Sequence, residues 1–161
     1  MNKITNIVVA GLGGQGVLKA SDIIADVAFA AGLDVKKSEI HGMSQRGGSV
    51  SSDVRYGECV HSPMVPMGEA DFLVVVSADQ VPVNIAALSS VGVLIEPSMV
   101  DESKLHSKRS INVALLGTLS RYLQFSDDEW IAAIKRNLPE ALHASNIEAF
   151  FLGKSVSVPA K

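Results

Sequence analysis

The stretch that most narrows what this chain can fold into is Ile7-Val8-Val9-Ala10-Gly11-Leu12-Gly13-Gly14-Gln15-Gly16, followed at once by a segment of helical periodicity. Four apolar residues in a row, stopped by glycine, read as a strand buried on both faces. Apolar residues at Val17, Leu18, Ile23, Ile24, Val27 and Ala28 predict a helix over 17–31, with Gly32 supplying a left-handed cap. A second strand over 33–40 completes a strand–helix–strand opening. That opening predicts an α/β chain.

The remaining pattern agrees. Residues 49–56 alternate, with Val50, Val54 and Tyr56 on one face, and the turn after them predicts a short return strand at Cys59–His61, making a hairpin. Strands follow at 71–77 and 92–96 with a short helix over 78–88 between them. From Ile111 onward the pattern is helical: 112–123, then a helix to about 137 opened by the capping box Ser126-Asp127-Asp128-Glu129, then one from Pro139 to Ala149 or Phe150, ended by Gly153. The architecture expected is one domain over 1–161. It is a three-layer Rossmann-like α/β fold with a mostly parallel, mixed sheet and C-terminal helices.

Composition matters here for what it excludes. Hydrophobic residues make up 47% of the 161, and charged residues 19%, which rules out a disordered chain. No apolar run approaches the roughly 18 residues of a membrane span, and the first residues lack the pattern of a signal peptide. A cytoplasmic location is the expectation. The net charge of −3 speaks against a nucleic-acid partner. One cysteine, Cys59, cannot hold an iron–sulfur cluster or build a multi-cysteine zinc site, so any cluster chemistry belongs to another chain.

Glycines at 11, 13 and 16 satisfy G-x-G-x-x-G. Residues without side chains permit a tight turn and let main-chain amides approach an anion, and the following helix dipole favours negative charge there. Glu39, 23 residues after Gly16, stands near where a ribose-binding acid is expected in a dinucleotide site. Three readings stay open for these glycines: a dinucleotide, another phosphate or cofactor edge, and close packing or partner contact. Gln15 adds side-chain donors at the loop crest. The second unusual stretch is His41-Gly42-Met43-Ser44-Gln45-Arg46-Gly47-Gly48-Ser49. Arg46 has the planar fork that suits a phosphate or carboxylate, Gly47 and Gly48 allow a sharp turn with exposed amides, and His41 is the one candidate acid–base. Loops at the carboxyl ends of neighbouring strands lie side by side, where ligands of open α/β sheets bind. His61, His106 and His143 show no ligand spacing, and Asp127-Asp128-Glu129 is explained by capping.

Together Gly11-Leu12-Gly13-Gly14-Gln15-Gly16 and His41-Gly42-Met43-Ser44-Gln45-Arg46-Gly47-Gly48-Ser49-Val50 resemble the gamma-type component of 2-oxoacid:ferredoxin oxidoreductases, nearest to the beta subunit of the indolepyruvate branch. Ser62-Pro63, Gly68-Glu69-Ala70-Asp71, Asn112-Val113-Ala114-Leu115-Leu116-Gly117 and Asn146-Ile147-Glu148-Ala149-Phe150 with Gly153 extend the likeness over about 4–154. Only 98–107 is shorter than the family's segment, which there carries a further strand.

The resemblance implies a subunit of an enzyme that turns a 2-oxoacid and coenzyme A into acyl-CoA, carbon dioxide and reduced ferredoxin. It places thiamine diphosphate, Mg2+ and 4Fe-4S clusters on a larger partner. Gly11, Gly13, Gly14, Gln15, Gly16, His41, Gln45, Arg46, Gly47, Gly48 and Ser49 then form a cofactor-binding or subunit-junction surface. The alternatives are a stand-alone NAD(P)- or FAD-binding protein and a non-catalytic scaffold. Left without its partner, the chain has apolar surface through which to form a homodimer.

Overall fold

The computed structural model of the chain describes residues 3–42 and 47–157. Five strands form one sheet in the order β2-β3-β1-β4-β5, with β1 Thr5–Leu12, β2 Asp34–His41, β3 Ser49–Gly57, β4 Ala70–Val75 and β5 Leu88–Ile95. β1 pairs parallel with β4, and β4 with β5, while β3 runs antiparallel to both β1 and β2. Four strands therefore point one way and β3 alone is reversed, so the sheet is mixed and mostly parallel in direction. α1 (Val17–Ala30) carries the chain from β1 to β2, and β2 lands one strand away from β1 because β3 fills the gap.

Apolar β1 sits at the centre for a physical reason. Ile7 and Val9 face the helices, Val8 and Ala10 face the other way, and all four are buried. The helix side is thick: α1, α3 (Ile111–Ser120), α4 (Asp127–Asn137) and α5 (His143–Lys154) enclose Trp130, Phe150, Leu115, Leu116 and Leu119. The capping box holds as predicted, with the Glu129 amide donating to Ser126 Oγ (3.2 Å) and the Ser126 amide to Glu129 Oε2 (2.7 Å).

The layer on the other face is thin. It consists of the irregular segment 58–69 and the short turns around α2 (Val81–Asn84), whose Val65, Val81 and Ala87 pack on Val8, Ala10 and Leu73. Polar side chains of β1 and β3 pin that segment. The Val65 amide donates to Asp53 Oδ2 (2.8 Å), Arg55 Nη1 donates to the Ser62 carbonyl (2.9 Å), and Asn6 Nδ2 to the Glu69 carbonyl (3.2 Å). Burial holds the Asp53 carboxyl above its ordinary range, against the pull of the Val65 amide.

Two expectations change. Cys59–His61 forms no strand, because β1 and β2 already occupy both edges of β3. The Val60 amide donates instead to Asp34 Oδ2 (2.8 Å). Gly153 does not end α5; the helix passes through it to Lys154. A side chain at Gly153 would overlap the Ala114 carbonyl, and one at Gly117 the Phe150 carbonyl, so these glycines let α3 and α5 touch main chain to main chain. Thr118 Oγ1 donates to the Gly153 carbonyl across the same contact (2.8 Å). The short 98–107 stretch holds 3-10 turns at Pro97–Met99 and Glu102–Lys104, leaving β5 as the sheet's edge.

Candidate functional site

The glycine loop leaves β1 and enters α1 through two left-handed residues, Gly14 (φ 84°) and Gly16 (φ 79°). An L side chain is strained there by about 1–2 kcal/mol. Gln15 does not present its carboxamide oxygen outward. Its Oε1 accepts the Leu12 amide (2.7 Å), while the Gln15 main-chain amide donates to the Leu12 carbonyl (3.2 Å). This side chain closes the turn on itself and makes the loop a rigid crest.

The second loop meets that crest through the backbone. The Gly13 amide donates to the Gly48 carbonyl (2.9 Å), and the Gly42 amide to the Ser49 carbonyl (2.6 Å). A Cβ on Gly13 would stand 3.3 Å from the Gly47 nitrogen. The two amide-rich corners foreseen from the sequence are therefore one continuous edge at the carboxyl ends of β1 and β2 and the start of β3. Met43, Ser44, Gln45 and Arg46 lie outside the described residues. Ser49 Oγ donates to Oε1 of buried Gln80 (2.7 Å), tying this edge to the turn after β4.

His41 ends β2 at the surface, 3.8 Å from Glu39 Oε2. It shares a cleft of about 340 Å³ with Leu12, Gly13, Gly14, Val17 and Lys19. Glu39 pairs with Lys37 (2.9 Å) on β2. In a dinucleotide fold the acidic strand lies beside the glycine strand. Here β3 intervenes, and two strand spacings of about 4.8 Å each carry Glu39 away from the crest. The geometry does not bring this acid to the glycine loop.

On its other side the crest meets α3. Asn112 Nδ2 donates to the Gly16 carbonyl (3.1 Å), and Asn112 Oδ1 accepts the Val113 amide (2.9 Å). A cleft of about 560 Å³ opens there between the starts of α1 and α3, with Lys19, Lys108 and Arg109 on its walls. The sequence motifs include Asn112 without giving it a task, and nothing in them singles out Gln80 or Lys19. Asn112 and Gly16 are 96 positions apart, so only the fold joins them. Among the described residues no group of three His, Cys, Asp or Glu side chains could hold a metal ion. No described helix is long and apolar enough to cross a membrane.

The family model described as pyruvate ferredoxin/flavodoxin oxidoreductase matches residues 6–101, which run from the second residue of β1 past β5 and take in both glycine-rich loops. The chain belongs to that family. Its relatives include the indolepyruvate oxidoreductase subunits IorB of Methanothermobacter thermautotrophicus, 54% identical over 68 residues, and of Archaeoglobus fulgidus, 55% identical over 69. The aligned stretch is 42% and 43% of this chain, and it spans 34% of each relative, about a third of its length.

Family membership agrees with the fold. A keto/oxoacid ferredoxin oxidoreductase gamma subunit from Geobacter sulfurreducens matches with a TM-score of 0.78 at 24% identity, over 92% of this chain and 95% of that one. A 2-oxoglutarate:ferredoxin oxidoreductase from Magnetococcus marinus, solved with 2-oxoglutarate, coenzyme A and succinyl-CoA bound, matches with a TM-score of 0.83. That match has 22% identity and covers 96% of this chain and 31% of the other. At these identities the likeness is one of fold.

Proposed function

We propose that this chain is the non-cluster subunit of a thiamine-dependent 2-oxoacid:ferredoxin oxidoreductase for an indolepyruvate-like arylpyruvate. It completes a complex that converts 2-oxoacid and coenzyme A to acyl-CoA, carbon dioxide and reduced ferredoxin. The observation that carries this reading is the Gly13–Gly48 hydrogen bond, which joins two glycine-rich corners into one edge. Family membership and the identity shared with the IorB subunits support the reaction class and the aryl substrate. The cytoplasm is the compartment in which such a complex meets ferredoxin.

Thiamine diphosphate with Mg2+ and 4Fe-4S clusters supply the carbanion and electron chemistry of this reaction. The residues of this chain do not fit a cluster: Cys59 is the single thiol, and it sits at the surface beside His61, 3.5 Å from Sγ to Nε2. The larger subunit holds those groups. The task of this chain is to shape the junction. Gly13 and Gly14 keep the crest low enough for another backbone to approach, Gly11 and Gly16 leave room for the Val17 and Asn112 side chains beneath it, and Gln15 fixes its turn. Gly47, Gly48 and Ser49 set the second corner. Gln45 and Arg46 precede that corner in sequence, and Arg46 offers positive charge to a coenzyme A phosphate or the substrate carboxylate. His41 stands at the rim as an exposed imidazole.

The test is reconstitution of the full chain with a large thiamine- and cluster-bearing polypeptide. Arylpyruvate- and coenzyme A-dependent ferredoxin reduction is expected from the mixture and not from either chain alone. Reduction of a nicotinamide by this chain unaided, or micromolar NAD(P) or FAD binding to it, overturns the proposal. In the assembled complex Arg46→Ala is expected to raise the apparent KM for coenzyme A or the 2-oxoacid. Unchanged kinetics with intact assembly would leave Arg46 a purely structural residue.

A further inference from the structure

We infer that Gln80 is a positioning residue for the glycine edge: its carboxamide fixes where the second corner, Gly48 and Ser49, stands against the crest. The inference rests on the reading of that edge as a working part of the oxidoreductase complex. It assigns a task to a side chain outside both glycine-rich loops.

The first observation is how little else holds the corner. The ladder between β1 and β3 ends where Leu12 faces Ser49, so the chain before Ser49 has left the sheet. Two main-chain hydrogen bonds reach the corner, from the Gly13 amide to the Gly48 carbonyl and from the Gly42 amide to the Ser49 carbonyl. Gly47 and Gly48 carry no side chain to anchor it, and Gly47 sits at φ 67°, a conformation that glycine enters and leaves freely. Among the described residues, the hydrogen bond from Ser49 Oγ to Gln80 Oε1 (2.7 Å) is the one side-chain tie the corner makes.

The second observation is how firmly Gln80 itself is held. It ends the 3-10 turn Ala78–Gln80 that follows β4, and it opens α2. Its amide donates to the Ser77 carbonyl (2.9 Å), and its carbonyl accepts from Asn84 Nδ2 (2.8 Å). Ser77 Oγ donates to Asp79 Oδ1 (2.6 Å) within the same turn. One residue before Ser77, the Val76 amide donates to the Ala10 carbonyl (2.8 Å), which anchors the turn to β1 just short of the crest. Gln80 therefore reaches Ser49 from a stiff base that shares β1 with the crest. The hydrogen bond spans 31 positions of sequence and braces the ends of β1, β3 and β4 against one another.

The residue type is the third observation. Gln80 is 7% exposed, and residues 80–95 include no charged side chain. Packing alone favours leucine or methionine at a buried position in such a stretch, because burying a carboxamide is costly unless it is hydrogen-bonded. Here the acceptor is used on the corner. Without it the corner's main-chain groups no longer stand at one place, and whatever binds there must order them first. That weakens binding of ground state and transition state alike, so it raises KM more than it lowers kcat.

The test is kinetic, in the complex reconstituted from full chains, with hydrogen exchange on this chain alone as a second arm. Gln80→Met keeps the length and the packing and removes the acceptor. It is expected to raise the apparent KM for coenzyme A or the 2-oxoacid by about three- to tenfold, with kcat changed by less than about twofold. Ser49→Ala is expected to raise the KM of the same substrate. Ser49→Ala/Gln80→Met should be no worse than either single variant, since each loses the same hydrogen bond. Lys135→Gln on α4 is the unaffected control. In the chain alone, Gln80→Met is expected to speed amide exchange over residues 47–50 and to leave α3 and α5 as protected as in the parent. If the parent complex reduces no ferredoxin, the functional reading fails, and unchanged exchange over 47–50 would overturn the brace separately. If the parent is active, an unchanged KM in Gln80→Met, or losses that add in the double variant, overturns the inference and leaves the functional reading standing. Failure of Gln80→Met to assemble, or faster exchange throughout the chain, makes Gln80 a residue of the fold alone and overturns the inference as well.

Discussion

The glycine crest is held in different ways on its two sides. Toward the second loop it is backbone against backbone: Gly13 N–H to the Gly48 carbonyl, with only 3.3 Å between a would-be Cβ and the Gly47 nitrogen. Toward α3 it is held by one side chain, Asn112, whose carboxamide occupies the place a Cβ on Gly16 would take. The first arrangement needs a close backbone approach and no particular side chain, and it tolerates small adjustments of a surface loop. The second depends on a particular donor at a buried position and does not. Folding energy should therefore concentrate on the α3 side, leaving the loop side free to be shaped by a partner.

Substitutions can break that contrast, the largest effect first. Gly16→Ala is expected to cost about 2–3 kcal/mol, combining left-handed strain with loss of the Asn112 hydrogen bond. Urea unfolding should show a lower midpoint at unchanged slope. Asn112→Ala, which keeps the glycine but removes the side-chain donor to the Gly16 carbonyl and the acceptor of the Val113 amide, is expected to cost about 1–2 kcal/mol in the same measurement. Gln15→Ala strands the Leu12 amide and is expected to cost about 1 kcal/mol, whereas Gln15→Glu keeps an acceptor and should stay close to the parent. Gly13→Ala asks the second loop to move by tenths of an ångström and is expected to change stability by no more than about 0.5 kcal/mol. Its effect should appear instead as weaker co-purification with the larger subunit. If Gly13→Ala unfolds the chain as readily as Gly16→Ala, the two sides are equivalent and the contrast fails.

How much of this was legible in the sequence depends on the range of the signal. β1, α1 and the capping box at Ser126 come from patterns a few residues long, and they are found where they were expected. Gly32 was readable for the same reason, and its φ of 86° fits the predicted cap. The insertion of β3 between β1 and β2 was not readable, because a strand's own residues do not name its neighbours. That one missed pairing created the expected strand at Cys59–His61 and gave Glu39 its supposed place beside the glycine loop. Gly153 misled for a related reason. Glycine near a helix end suggests a cap, while the need for close approach to Ala114 is visible only once α3 is in place. For the site, the two loops were expected side by side as the ends of neighbouring strands β1 and β2; they meet at Gly48 for another reason, because β3 leaves the second loop and pairs with β1. The basic cleft was not legible, since Lys19 and the Lys108–Arg109 pair are remote in sequence and neither forms a motif.

The main-chain contact between α3 and α5 also has a consequence for the order of assembly. Every residue of α3 from Asn112 to Ser120 is buried, and α5 supplies the cover through Gly117 and Gly153. During synthesis α3 leaves the ribosome well before α5 does. Until that later helix emerges, an apolar rod lies open on the nascent chain, a state in which chains are prone to aggregate. Closure of the helical side thus waits on the tail of this sequence rather than on its glycine-rich head.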